Sequence, residues 1–327
     1  IDAGLPIMQC LQILAAQTDS KPFAKIIQAV KDEVESGETL AEAMRKHALV
    51  FPELYTSMVQ AGEIGGILDT ILVRLAAYLE KASKLKSKIK GAMIYPACIV
   101  SAAVIVTGVL LVWVIPVFAD VFSSFGHALP APTQFVINLS HFTIDHIWFL
   151  MAVPILAFFA LRYAYKTDQG ELWIDRILLR IPVVGQLIRK SAVARFTRTL
   201  GTLVSSGVPI LDALTITART SGNRVIEGAI LMARTSISSG RTIAEPLIES
   251  KVFPPMVCQM ISVGETTGAL DSMLQKVADF YEDEVDNTVA NLMSLMEPAV
   301  ILFLGLVIGG LVVSMYLPIF QLGAVME

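Results

Sequence analysis

Apolar residues recur along this chain in two different rhythms. Ile64, Ile67, Leu68, Ile71, Leu72, Leu75 and Leu79 fall at intervals of three and four, which places them on one face of a helix. Ile261, Ala269, Leu270, Met273, Leu274, Val277 and Tyr281 give a similar face in the second half. No segment alternates apolar and polar positions as a strand would, so the expected fold class is all-α. Gly4-Leu-Pro6, Ser36-Gly37, Phe51-Pro52 and Gly62 punctuate the pattern and keep the helices between them short. Ser36-Gly37-Glu38-Thr39 reads as a helix exit and re-entry, with Thr39 as N-cap and Glu42 completing a capping box.

The second rhythm is no rhythm at all. Ala92 to Phe118 is a run of 27 residues without Asp, Glu, Lys, Arg or His, and Pro298 to Phe320 is another of 23. A helix rises about 1.5 Å per residue and about 20 apolar residues cross the hydrocarbon core, so both are long enough to span. A third candidate, His146 to Leu161, is uncharged for only 16 residues and contains Pro154. Trp148, Tyr163 and Tyr165 suit the two interfaces, and Arg162 can snorkel to headgroups. The alternative for this third segment is a buried or re-entrant helix.

Charge chooses between them. The 25 Lys and Arg residues lie in two blocks, 11 from Lys21 to Lys90 and 14 from Arg162 to Lys276. Lys81, Lys84, Lys86, Lys88 and Lys90 precede the first span without an acid among them, which places that end in the cytoplasm. Ala119 to Asp145 has no Lys or Arg, as an outer loop should, and the basic block that follows requires a return crossing. The expected order is a cytoplasmic domain over 1–90 and a transmembrane helix over 91–118, then a periplasmic loop over 119–146. A second transmembrane helix over 147–165 leads to a second cytoplasmic domain over 166–297, with its core at 191–284. A third helix over 298–320 ends in a periplasmic tail over 321–327. A hydrophobic fraction of 54%, 17% charged residues and a mean hydropathy of +0.66 agree with a membrane protein. Cys10, Cys98 and Cys258 are odd in number and far apart, so reduced thiols are expected rather than a disulfide framework.

The two cytoplasmic blocks are copies of one another. Gly4-Leu-Pro6-Ile7 matches Gly207-Val-Pro209-Ile210, and Gly37-x-Thr39-x-Ala41-Glu42 matches Gly240-x-Thr242-x-Ala244-Glu245, both at a shift of 203. At a shift of 202, Gly62-Glu63-x-x-Gly66-x-Leu68-Asp69 matches Gly264-Glu265-x-x-Gly268-x-Leu270-Asp271. The register continues into the membrane, where Pro96 and Pro298 open the first and last spans while Pro116-x-Phe118 and Pro318-x-Phe320 close them. Each copy is thus a helical-bundle domain followed by one outward-going helix, and the middle span is the extra crossing that two like-oriented copies need.

Enzyme chemistry is missing. No Gly is followed by Lys, so there is no Walker A loop, and HExxH, G-x-S-x-G and GxGxxG are all absent. His47, His127, His141 and His146 have no metal-ligand spacing. Glu63 and Glu265 read better as helix-start carboxylates near a dipole than as catalytic groups, because one active site would not need two copies. No cofactor, metal or nucleic acid is expected. Gly305-x-x-x-Gly309 offers a small-residue face for helix packing, and a chance Gly pair in a membrane helix weighs equally against it.

Arg195-Phe-Thr-Arg-Thr-Leu-Gly-Thr-Leu-Val-Ser-Ser-Gly207-Val-Pro209, Ile181-Pro-Val-Val-Gly185, Val263-Gly-Glu-Thr-Thr-Gly268 and Lys88-Ile-Lys-Gly-Ala-Met-Ile-Tyr95-Pro96 resemble the domain shared by type II secretion F proteins and type IV pilus platform proteins. The likeness covers nearly the whole chain. It implies a multi-pass platform in the bacterial inner membrane that is not an enzyme and that oligomerises, with a dimer favoured. The partners it implies are a hexameric cytoplasmic ATPase, pilin or pseudopilin subunits, other inner-membrane assembly proteins and the lipid bilayer. Gly62, Glu63, Gly66, Gly264, Glu265, Gly268, Pro96, Pro298, Gly207 and Pro209 would be its structural motif residues. Arg195 to Leu203 precede the second copy's Gly-x-Pro without a counterpart before the first, so the start of the first domain is expected upstream. Within the family the expected role is a type IV pilus platform that couples the ATPase to insertion or removal of pilin subunits, with type II secretion as the alternative, and a small membrane transporter is the alternative from another class.

Overall fold

The structure, a computed structural model, describes residues 5–123, 129–182 and 184–325. Every regular element among them is helical, and the chain divides into two compact units. The first unit comprises Ile1–Lys86 and Leu172–Asp286, and the second Ser87–Glu171 and Asn287–Glu327.

Within the first unit the first copy supplies α1 (Ile7–Gln17), α2 (Lys21–Glu35), α3 (Leu40–Arg45), α4 (Glu53–Gly65) and the beginning of α5 (Leu68–Val109). After α9 (Asp168–Leu178) and α10 (Val184–Ser205), the second copy repeats the pattern as α11 (Ile210–Thr220), α12 (Arg224–Ser238), α13 (Ala244–Glu249), α14 (Pro255–Thr267) and the beginning of α15 (Leu270–Val325). The sequence expects two separate bundles, whereas the copies share a core. Phe196, Leu200 and Leu203 of α10, spaced i, i+4 and i+7, are fully buried. They belong to one apolar cluster with Leu54, Met58, Ile71 and Leu75 of the first copy and Leu214, Ile261 and Leu274 of the second. A smaller cluster of Val30, Leu40, Ala43, Met44 and Val59 belongs to the first copy alone.

The second unit holds the later parts of α5 and α15, a π-helical turn over Leu110–Val114, α6 (Ile115–Ser123), α7 (Ala131–Asp145) and α8 (Ile147–Ala164). Among the described residues three stretches are long and apolar enough to cross a membrane: Ala97–Val121, Ile147–Ala164 and a window inside Leu270–Phe320.

Two features differ from the sequence reading. The helices that carry the first and third spans begin at Leu68 and Leu270, well before the apolar runs that Pro96 and Pro298 open. Position 96 lies within α5, and Pro298 and Pro318 lie inside α15. Proline removes one amide and crowds one carbonyl, a local cost that a long helix absorbs when neighbouring groups take up the freed carbonyl. The stretch read as an outer loop contains a 15-residue helix, α7, whose Val136 packs against Leu111, Ile115 and Leu311.

Candidate functional site: two glycine–glutamate corners

The repeated Gly-Glu-x-x-Gly segments occupy the last turns of α4 and α14, so they are helix exits and not the entries the sequence suggested. Gly66 ends α4 at φ +66° and Gly268 ends α14 at φ +72°, left-handed values that a side chain would strain. The Gly66 N–H donates to Glu63 O at 3.3 Å and the Ile67 N–H donates to Gly62 O at 3.0 Å. Gly62 and Gly264 let the following helix come close. A Cβ on Gly62 would lie 2.9 Å from Ile71 Cγ1, and one on Gly264 would lie 2.8 Å from the Leu270 Cα.

Each glutamate reaches a different helix. Glu63 Oε1 and Oε2 accept from Leu40 N at 2.6 Å and Ala41 N at 3.0 Å, at the start of α3. Glu265 Oε1 and Oε2 accept from Ile243 N at 2.5 Å and Ala244 N at 3.2 Å, at the start of α13. Thr39 and Thr242 add the capping hydroxyls, accepting from Glu42 N at 3.2 Å and Glu245 N at 3.4 Å. Helices of six residues have few internal bonds and leave their first amides without partners, so a carboxylate that takes two of them at the positive end of the dipole fixes each short helix. With both oxygens of both carboxylates engaged, this is a joint between helices and not a reactive pair.

The other motif residues also do backbone work. Gly207 closes α10 at φ +82°, with Val208 N donating to Leu203 O at 3.1 Å, and Pro209 enters α11 with its carbonyl accepting from Ala213 N at 2.9 Å. Its first-copy partner Pro6 precedes α1 in the same way, while Gly4 lies outside the described residues. A Cβ on Gly305 or Gly309 would meet nothing within 4 Å, so that face is open in a single chain.

Polar links tie the copies together. Arg219 pairs with Glu53 at 2.6 Å, Tyr78 Oη lies 3.2 Å from Thr199 Oγ1, and Arg74 donates to the Ser205 carbonyl. Asp279 of α15 takes Lys81 of α5 at 3.0 Å and Arg198 of α10, which also holds Glu282 at 2.8 Å. Burial works to raise the Asp279 pKa, but the hydrogen bonds from Arg198 and Lys81 outweigh it and hold the carboxyl below its usual range. Asp175 of α9, 2% exposed, accepts from Arg224 N at 2.7 Å and caps α12 beside Asn223. Sequence reasoning missed Arg198, Asp279 and Asp175, since each acts across a long separation that no local spacing marks.

Two surface grooves open on this unit. One, of about 620 Å³, lies between α4 and α11 and is lined by Glu53, Gln60, Ile64, Val208, Asp212 and Ile216. The other, of about 740 Å³, is lined by Leu231, Met232, Arg241, Glu245, Pro246 and Glu249. Neither assembles a nucleophile with a base. Among the described residues no three His, Cys, Asp or Glu side chains come together as a metal site. Burial pushes the Cys258 thiol up, away from the thiolate form that reacts.

The family profile described as Type II secretion system (T2SS), protein F, matches residues 1–116 and 196–318. A type IV pilus assembly protein PilC from Myxococcus xanthus is 51% identical over 327 residues, covering 100% of this chain and 78% of that protein. A PilC from Thermus thermophilus is 46% identical, over 98% of this chain and 79% of its own length. A type II secretion system protein F from Vibrio cholerae is 34% identical, over 100% of this chain and 80% of its own.

Proposed function

The chain belongs to the family of type II secretion system protein F, and we propose that it is the inner-membrane platform of a type IV pilus assembly machine. The observation that carries the choice within the family is identity: 51% and 46% to pilus assembly proteins against 34% to a secretion protein. None of these names denotes a catalytic activity, and a platform needs none. Its fuel is burned by a hexameric cytoplasmic ATPase that docks on the first, helical unit.

The topology follows the charges. Both basic blocks are cytoplasmic, three helices cross, and the tail after Phe320 is periplasmic. ATP turnover in the partner shifts the first unit as a piece, because α10 and the Lys81–Asp279–Arg198 cluster bind its two copies. The shift passes outward along α5 and α15, which continue unbroken from Leu68 and Leu270 into their apolar segments, and pilin subunits are inserted or removed beside them. A second copy of the chain and other inner-membrane assembly proteins complete the platform. A transporter is disfavoured because the two outward-going spans carry no ionisable residue.

The test is a strain lacking its own pilus platform, supplied with this gene. Surface pili return, the protein co-purifies with the hexameric ATPase, and the isolated chain hydrolyses no ATP. Restored secretion without pili would move the assignment to the secretion branch, and robust intrinsic turnover would end the platform reading.

A further inference from the structure

Pro116 and Pro318, two residues before the outer ends of the two outward-going apolar runs, each leave a carbonyl without its helical donor. In α15 the Ser314 carbonyl would normally accept from position 318, where proline has no N–H. In the π-helical turn Leu110–Val114, the Ile115 N–H donates to Leu110 O instead of Leu111 O, and the next amide along is missing at Pro116. The Leu111 carbonyl is therefore the orphan there. These two carbonyls are the ones that α7 satisfies: Thr133 Oγ1 donates to Ser314 O and Ser140 Oγ donates to Leu111 O. Both hydroxyl residues are buried, with Val136 between them against Leu111, Ile115 and Leu311.

We propose that α7 is an intramembrane helix, latched by Thr133 and Ser140 onto the carbonyls that Pro318 and Pro116 leave open. This rests on the three-crossing topology above. An orphaned carbonyl in hydrocarbon costs several kcal/mol, so the hydroxyls must sit at the depth of the prolines. The other faces of α7 agree. Phe135, Leu139 and Phe142 are apolar and 68%, 38% and 54% exposed, as are Trp113, Val117, Val313 and Phe320 on the helices it touches. Above the membrane all of these would face water. A third stripe, Gln134, Asn138, His141 and Asp145, is exposed, and its side chains make no hydrogen bond or ion pair among the described residues. Polar stripes at such depth face water-filled crevices, so this one lines a hydrated cleft entering from outside. Ala131–Asp145 is thus the outer half of the return crossing, which bends at His146 (φ −112°) and continues as α8.

Two measurements on the purified full chain in liposomes test this. A nitroxide at Phe142→Cys is relaxed more by oxygen than by a water-soluble nickel chelate, and one at Asn138→Cys shows the reverse. Water-like behaviour at 142, or lipid-like behaviour at 138, overturns the proposal. For the latch, Thr133→Val lowers the melting temperature by several degrees in the natural background. In a Pro318→Ala background, where the backbone N–H returns, the same change lowers it by less than half as much. Equal shifts in the two backgrounds would refute the latch. Labelling of a cysteine at the exposed position of Lys25 (Lys25→Cys) from the inner face tests the topology by itself, so the two failures are distinguishable.

Discussion

Gly62 and Gly264 look interchangeable in the sequence, yet their surroundings differ in one respect that decides how each tolerates a methyl group. The obstacle to a Cβ at Gly62 is first the Ile71 side chain at 2.9 Å, whereas at Gly264 it is the Leu270 backbone at 2.8 Å. Overpacking of this kind costs about 1–3 kcal/mol. Gly62→Ala is expected to lower thermal stability, and to lower it by less in an Ile71→Ala background, which lacks the obstructing Cγ1. Gly264→Ala is expected to be at least as damaging, with no recovery from Leu270→Ala; recovery there would show that the backbone is not the obstacle. At the same scale Asp279 sets an acid limit. Its folded pKa is depressed, so its contribution is present above the unfolded value and fades as pH falls through the folded one. Asp279→Asn should therefore lower stability at neutral and alkaline pH and converge with the unaltered protein at the acid end, as chemical denaturation at stepped pH would reveal. The paired glutamates were legible as architecture, because they recur. Their targets were not, since Leu40 lies 23 positions from Glu63 and spacing says nothing about what a side chain reaches across a corner.

Elements were legible where hydropathy is monotonous and obscured where faces are mixed. The two uncharged runs announced the first and third spans, with Pro96 and Pro298 at their openings, but not how far upstream their helices start. The structure has α5 and α15 beginning 28 residues earlier in each case, at Leu68 and Leu270. Proline is a breaker when its freed carbonyl must face water or nothing, and the long helices here pass through it. α7 stayed hidden because its polar stripe dilutes the apolar signal and Pro130-Ala-Pro132 resembles a loop. Helix continuity makes a sharp prediction for force transmission. Inserting Gly-Gly after Ser87 should leave the first unit folded, with normal melting of its core, while surface pili are lost. Normal pilus numbers in that variant would remove α5 from the path.

For the molecule as a whole, the repeat was visible from end to end, but its consequence for packing was not. Two matching halves suggested two bundles, and nothing in the spacing of Leu54, Met58, Ile71 or Leu75 says that they meet Phe196. Long-range packing of that kind depends on α10, which lies in the second basic block and fills a core belonging to both copies. Truncating a buried phenylalanine costs about 3–5 kcal/mol. Phe196→Ala should lower the melting of both copies together in a single calorimetric transition. Two separate transitions, with only one displaced, would mean that the halves are energetically independent.

That placement of α10 also limits how such a gene could be divided. A polypeptide ending after the first span would strand Leu54, Met58 and Leu75 beside solvent, and one starting at α9 would leave the same helix with a greasy flank uncovered. Neither fragment could be made soluble by trimming its ends, since the exposed surface lies in the middle. Separating the halves into two genes would require fresh charged residues along Ala192 to Leu203, on the side that now has no need of water.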